Sequence, residues 1–417
     1  MRLPGHAGPA VLRRLRFQPG FLLREVRKHG RRAIKVLWTV RSKIELDMSL
    51  GILYQDGLKE YDFGPGHPFR GSRAPVFIKF LQQKLAQDDN YRILEAPAAT
   101  EEDLLLICRQ DYINFTRDFY RAANLGQEYS QAELFYEYQS MDNMPIGNPG
   151  KLEEAARLVI GQAKKACELV QEGTYRKVIS IGGGLHHARP SYGEGFCLYN
   201  DVAFCGRYLL KKYQLDRILI LDTDAHAGNG TSEYFYDEPK VLFIDLHQDP
   251  GTLYPGTGFA DQIGINDGKG FTVNIPMPVG AGNNSYKLAF ESIVEPLVGE
   301  FKPQIIIRNG GSDPHFDDQL TVLGLTVKGF KMIGDKTRKM AEVCDGKVVD
   351  LITSGYNEKV LPSAWLALVS GLGEFKLEVK DPEPVPQHFV EDNTVAETGK
   401  VIETVKGYLK DYWKCLR

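Results

Sequence analysis

Short apolar runs alternate with longer amphipathic ones along most of this chain. Residues 178–181, 218–221, 241–246, 304–308 and 348–353 are brief, rich in Ile, Val and Leu, and most run straight into Gly, Asp or His. Continuous apolar runs of this length suit strands covered on both faces. Between them, residues 151–172 carry Leu152, Ala155, Ala156, Val159, Ile160 and Ala163 at helical spacing. Residues 200–213, 284–301, 327–343 and 361–372 read the same way, and 396–413 predicts a last amphipathic helix. The Pro- and charge-rich stretch 375–391 predicts a surface loop, and 49–54 a further strand. Strands alternating with helices predict an α/β domain with an open, mostly parallel sheet, right-handed crossovers and helices on both faces. In such sheets ligands gather beyond the carboxyl ends of the strands, so residues that directly follow a strand are the first candidates for chemistry.

Composition narrows the class. With 417 residues and 43% hydrophobic content, the chain can bury a large core. No run of eighteen apolar residues occurs, so no membrane span is expected. Six cysteines, at 108, 167, 197, 205, 344 and 415, form no C-x-x-C pair and are too sparse for a disulfide scaffold, which points to a reducing cytoplasm. The net charge of −3 is uneven: residues 1–47 hold twelve Lys/Arg against Glu25, Glu45 and Asp47, a balance of +9, leaving −12 for the rest. The acidic body suits an enzyme attracting cationic substrates and argues against a nucleic-acid binder. The basic head lacks the apolar core of a secretory signal. It reads as a transit-like segment, a nucleic-acid or membrane contact, or sequence translated upstream of the true start. The last is favoured because a strand-like run follows Met48 at once. The domain division is therefore a basic extension, 1–47, and one catalytic domain, 48–417.

Four strand ends carry polar clusters. After 218–221 comes Asp222-Thr223-Asp224-Ala225-His226-Ala227-Gly228-Asn229-Gly230. Asp224 and His226 are two apart, so in an extended segment they project to one side, as chelation of a single ion requires. Taken alone, the pair also reads as a capped helix start with a solvated His. After 178–181, three glycines deliver His186 and His187 to the sheet mouth, where adjacent imidazoles serve as acid–base groups or ligands more often than as idle loop residues. Asn200 or Asp201 can cap the helix that follows. After 304–308 comes Asp313, and after 348–353 comes Tyr356, whose hydroxyl can donate into the same mouth or simply pack.

In this order and spacing the four stretches resemble the zinc-dependent histone deacetylase family, which includes acetoin-utilisation deacetylases and acetylpolyamine amidohydrolases. The resemblance spans residues 61–372 and includes Gly64-Pro65-Gly66-His67-Pro68 with Arg73, His186-His187-Ala188, Gly195-Phe196-Cys197, and Tyr254-Pro255-Gly256-Thr257-Gly258. It implies a sheet of the arginase/deacetylase type. It implies Asp224, His226 and Asp313 as ligands of Zn2+, with a fourth position open for water. The same donors accept Fe2+. It implies His186 and His187 as acid–base groups, partnered by Asp222 and Asn229, and Tyr356 as oxyanion donor. Phe196 and Tyr254, with Gly195 beside them, match the walls of a tunnel for an aliphatic chain, Asp142 a rim aspartate that accepts from a peptide backbone, and Leu320 the place of an acidic gate in polyamine-selective relatives. A K+ held by backbone oxygens of the 222–226 segment, near Asp245, is also implied.

The sequence departs from the family pattern at several points. Asn229 stands where many members have Asp, which leaves His187 less readily charged than His186. Ala227 replaces a second His, Asp317 a usual Gly, and His315 is extra; His315 is expected at the rim, with a second metal ligand as the other reading. The implied reaction is hydrolysis of an acylated amine, acetyl-lysine first, a small acylated amine or acetylpolyamine second. A dinuclear manganese hydrolase of the arginase type would want acids where Gly228 and His315 stand. A catalytically silent binding module would lack a ligand, a His or the Tyr, and none is missing. Oligomeric state is left open by the sequence.

Overall fold

In the computed structural model, residues 50–417 are described; the basic head 1–47, Met48 and Ser49 lie outside them. Eight strands form one sheet: β1 Leu50–Leu53, β2 Tyr91–Leu94, β3 Lys177–Ile181, β4 Ile218–Asp222, β5 Val241–Gln248, β6 Thr272–Met277, β7 Ile305–Gly310 and β8 Val348–Ile352. Their order is β2-β1-β3-β8-β7-β4-β5-β6, and every neighbouring pair is parallel. In β3, β4, β5, β7 and β8 every residue is buried. Both faces of these strands are therefore covered, as the unbroken apolar runs require.

The two strands absent from the sequence reading are β2 and β6, the edges of the sheet. An edge strand is bonded on one side, so its pattern is weaker. β2 is only partly buried and carries Arg92. β6 contains Pro276, which an edge tolerates because one side of the ladder needs no donor. Other differences are local. The expected helix 284–301 is Asn283–Ala289 and Glu295–Phe301 joined by a π-helical stretch, Phe290–Val294. The last helix spans Val395–Leu409. The expected loop 375–391 contains the short helix Gln387–Glu391.

The sheet order has a direct consequence for chemistry. β3, β8, β7 and β4 are consecutive neighbours, although their carboxyl ends fall at residues 181, 352, 310 and 222. Register keeps those ends level: Ile181 pairs with Ile352, Ile352 with Gly310, and Asn309 with Asp222. The four polar clusters thus leave the sheet side by side. Beneath them, Arg308 of β7 and Asp350 of β8 face each other in register and form an ion pair with both side chains buried. Arg308 Nη1 also reaches Thr223 Oγ1 at 3.5 Å.

Removing one half of that pair leaves a buried charge alone. Arg308→Met is expected to destabilise the protein by about 3–5 kcal/mol, while Arg308→Met/Asp350→Leu recovers most of the loss. Urea unfolding of the two variants measures this, and equal losses would contradict it.

Candidate active site

The loop after β3 is pinned from below. Asp201 accepts the N–H groups of Gly184 (2.8 Å) and Leu185 (2.7 Å). Asn200 takes the cap: its Oδ1 accepts from Ala203 N at 2.8 Å, while its Nδ2 donates to the carbonyls of His186 and Ala188, both at 3.0 Å. Either residue could cap from sequence alone; here one caps and the other holds the histidine loop. His186 and His187 are both buried and their Nε2 atoms lie 3.1 Å apart.

Their partners differ. His186 Nδ1 is 2.8 Å from Asp222 Oδ2, and Asn309 Nδ2 donates to both Asp222 oxygens at 2.9 Å. Burial pushes the His186 pKa down, but Asp222 and then Asp224 outweigh it and raise it to about 9. His187 Nδ1 is 2.7 Å from the Asn229 side-chain oxygen. Burial, then the charge of His186, holds His187 well below the ordinary imidazole range. Glycine is required at 195: its φ is +61°, and an added Cβ would lie 2.2 Å from His187 Cδ2.

Asp224, His226 and Asp313 converge beside this pair. His226 Nδ1 lies 3.1 Å from Asp224 Oδ1 and 3.1 Å from Asp313 Oδ2, and the three donor atoms fall within 4.8 Å of one another. Bonds of about 2.0–2.1 Å in a tetrahedron place donors roughly 3.3 Å apart, so this spacing fits one zinc-sized ion. The charge fits as well. Burial and the neighbouring Asp224 push Asp313 up to about 8, so a cation between the two acids would relieve their repulsion. Behind them, the Ser354 hydroxyl donates to Asp313 Oδ1 at 2.6 Å, and Thr321 bonds the Asp313 carbonyl. Among the described residues this is the one group of three or more His, Cys, Asp and Glu side chains set to hold an ion.

Tyr356 enters from β8. Its N–H donates to Asp318 Oδ2 at 2.8 Å, and burial, against the opposing charge of Arg73, holds its phenol well above the ordinary range. Gly355 before it has φ +121° and leaves no room for a Cβ, which would fall 1.9 Å from Ser312 Oγ. Buried Arg73 donates to the Gly355 carbonyl at 2.9 Å and lies 5.5 Å from the Tyr356 ring. The sequence reading quoted Arg73 only as part of a motif; its place behind Tyr356 comes from the packing.

Phe196 packs 5.9 Å from Tyr356 and 4.7 Å from His67, ring to ring. Tyr254 is exposed and lies 5.2 Å from His187 and 6.5 Å from His226. Leu320 is on the surface of the loop after Asp313, its N–H bonded to Asp318. Asp142 already accepts within the fold: Oδ2 takes the Gly195 N–H at 2.9 Å and Oδ1 is bonded by Ser140. Asp245 accepts the Gly228 N–H at 2.8 Å, and His247 Nδ1 lies 2.9 Å from its other oxygen.

His315 corrects the sequence expectation. It is neither a rim residue nor a second ligand; it is 1% exposed, its Nε2 2.8 Å from Asp381 and its ring stacked on Phe330. Asp381 also caps the helix Val327–Met340 through Val327 N–H (3.0 Å). The extra histidine therefore fastens the 375–391 segment to the body. Glu194 is the site residue that sequence reasoning missed. It accepts from Asn229 Nδ2 at 2.9 Å and from the Tyr254 hydroxyl at 3.1 Å; its place one residue before Gly195 was the only available signal.

Fold and cluster together define a class: a parallel α/β protein whose strand ends bring two acids and an imidazole together beside paired imidazoles. The chain belongs to the histone deacetylase family, whose domain matches residues 67–372. A probable deacetylase of Archaeoglobus fulgidus is 34% identical over 381 residues, covering 89% of this chain and 100% of that protein. The acetoin utilization protein AcuC of Staphylococcus xylosus is 34% identical over 322 residues, 77% of this chain and 81% of its own. The crystal structure of the HDA15 HD domain is similar in fold, with a TM-score of 0.71 at 23% identity, covering 88% of this chain and 97% of that one.

Groups that orient a ligand tune its affinity. Ser354→Ala, which frees one oxygen of Asp313, is expected to weaken binding of an added divalent ion about 10–100-fold. Competition with a chromogenic chelator measures it, and undiminished affinity would show that the Ser354 hydroxyl does not tune Asp313 as a ligand.

Proposed function

We propose that the protein is a zinc-dependent deacylase that hydrolyses the amide of an acylated amine, acetyl-lysine in a peptide or protein being the first substrate. One observation carries the reading: the two acids and the imidazole of Asp224, Asp313 and His226 converge on one point beside the facing Nε2 atoms of His186 and His187. Membership of the histone deacetylase family and likeness to a probable deacetylase support it. The two-ion alternative finds no support in His315, which is turned to Asp381.

Zinc bound by Asp224, His226 and Asp313 would supply Lewis acidity toward the acyl oxygen and lower the pKa of water. The chain's own groups do the rest. His187 holds its Nδ1 proton against the Asn229 oxygen and keeps the Nε2 lone pair to take a proton from the attacking water. His186, held charged by Asp222, returns a proton to the nitrogen as the C–N bond breaks, so the products are a free amine and a carboxylate. The Tyr356 hydroxyl, steadied through Gly355 by Arg73, donates to the oxyanion. Phe196 and Tyr254 flank the approach as apolar surfaces suited to an aliphatic arm.

No helix among the described residues is long and apolar enough to cross a membrane, and all six cysteines are free. The free thiols support placement in a reducing compartment such as the cytoplasm. Tyr356→Phe is expected to lower kcat by about 10²–10³ with zinc content intact. Turnover of an acetyl-lysine peptide, with metal analysis of the same sample, measures it; unchanged kcat would exclude the oxyanion role. A panel of acetyl-lysine peptides, acetylated spermidine and acetylcadaverine decides the carrier, and preference for the last two would move the assignment to small amines.

A further inference from the structure

The general base stands one residue away from the nearest carboxylate on its Nδ1 side. His187 Nδ1 meets the Asn229 oxygen at 2.7 Å, and Asn229 Nδ2 meets Glu194 Oε1 at 2.9 Å. The same Glu194 oxygen accepts from Arg189 Nε at 2.5 Å, and Arg189 Nη1 continues to Glu233 at 2.9 Å. Glu194 Oε2 accepts from the Tyr254 hydroxyl at 3.1 Å. The Glu194 side chain is 13% exposed, so these partners replace much of its water.

A carboxylate oxygen that already accepts from a guanidinium is an acceptor toward its other neighbours too. The amide nitrogen of Asn229 must therefore face Glu194, and its oxygen must face His187. A ring nitrogen opposite a carbonyl oxygen carries the proton, so His187 is protonated at Nδ1 and bare at Nε2. Without Glu194 the amide of Asn229 can turn over, and its NH2 would then favour the opposite, unproductive tautomer. Glu194 also explains why 229 is an amide. A carboxylate there would lie about 3 Å from Glu194, and two acids that close share a proton rather than both ionising.

We propose that Glu194 is a positioning residue for the base: through Asn229 it fixes the tautomer of His187, and through the Tyr254 hydroxyl it ties that base to the wall of the approach. This rests on the deacylase reading for its catalytic consequence, but not for the tautomer itself. Asn229 and Glu194 then form a matched pair, in which amide-plus-acid replaces acid alone.

The zinc-loaded full-length protein, labelled with 15N-histidine, is to be compared with Glu194→Ala, Glu194→Gln, Asn229→Asp and the double variant Glu194→Gln/Asn229→Asp. Imidazole 1H–15N correlation spectra report the tautomer, and acetyl-lysine peptide turnover reports kcat and KM. Glu194→Ala is expected to convert the His187 pattern from Nδ1–H to a mixture and to lower kcat about 10–100-fold with zinc content unchanged. Glu194→Gln is expected to lower kcat when 229 is Asn and to raise it when 229 is Asp, because the Gln amide donates to the new carboxylate. An unaltered His187 spectrum in Glu194→Ala overturns the proposal whether or not any substrate is turned over. A normal tautomer shift with no deacylase activity upholds the positioning and fails only the catalytic reading. The same fold-change for Glu194→Gln in both backgrounds would dissolve the pairing with Asn229.

Discussion

Two carboxylates, Asp224 and Asp313, are buried against a single imidazole, and much of the surrounding architecture answers that demand. Burying acids side by side is unfavourable unless donors and a cation offset them. The fold supplies the donors: Ser354 and the backbone of His226 bond these acids directly. Asp224 comes from the loop after β4 and Asp313 from the loop after β7, which are bonded neighbours. A parallel ladder with level ends is the cheapest way to bring residues 89 apart in sequence to one point and hold them there.

The imidazole pair shows how identical side chains acquire different chemistry. His186 rests on Asp222, itself held by two bonds from Asn309, and is raised to about 9. His187 rests on a neutral amide and is kept well below its ordinary range by burial and by its charged twin. The rings are adjacent in sequence and 3.1 Å apart at Nε2, so the difference lies in what stands behind each. A group that holds a proton and a group that accepts one are thereby set within a single hydrogen bond of each other.

Legibility in the sequence followed position in the sheet. β3, β4, β5, β7 and β8 are buried throughout and announced themselves as unbroken apolar runs, whereas the edges β2 and β6 did not. The motif-bearing residues were legible because each follows a central strand. His315 was misread because a polar side chain near a cleft looks the same in sequence whether it faces solvent or is consumed by a neighbour. Asp381 is that neighbour. Glu194 went unnoticed because its partners, Asn229 and Tyr254, lie 35 and 60 positions away.

By itself the sequence determined the α/β class, the central strands and which strand ends carry acids, imidazoles and the tyrosine, because period and burial are local properties of a strand and its flanking turns. Only the tertiary structure decided that β3, β8, β7 and β4 stand side by side, that Asn200 caps while Asp201 anchors, and which carboxylates remain available. Those outcomes depend on strand order and on competition among donors distant in the chain, and neither leaves a periodic trace in the residues that take part.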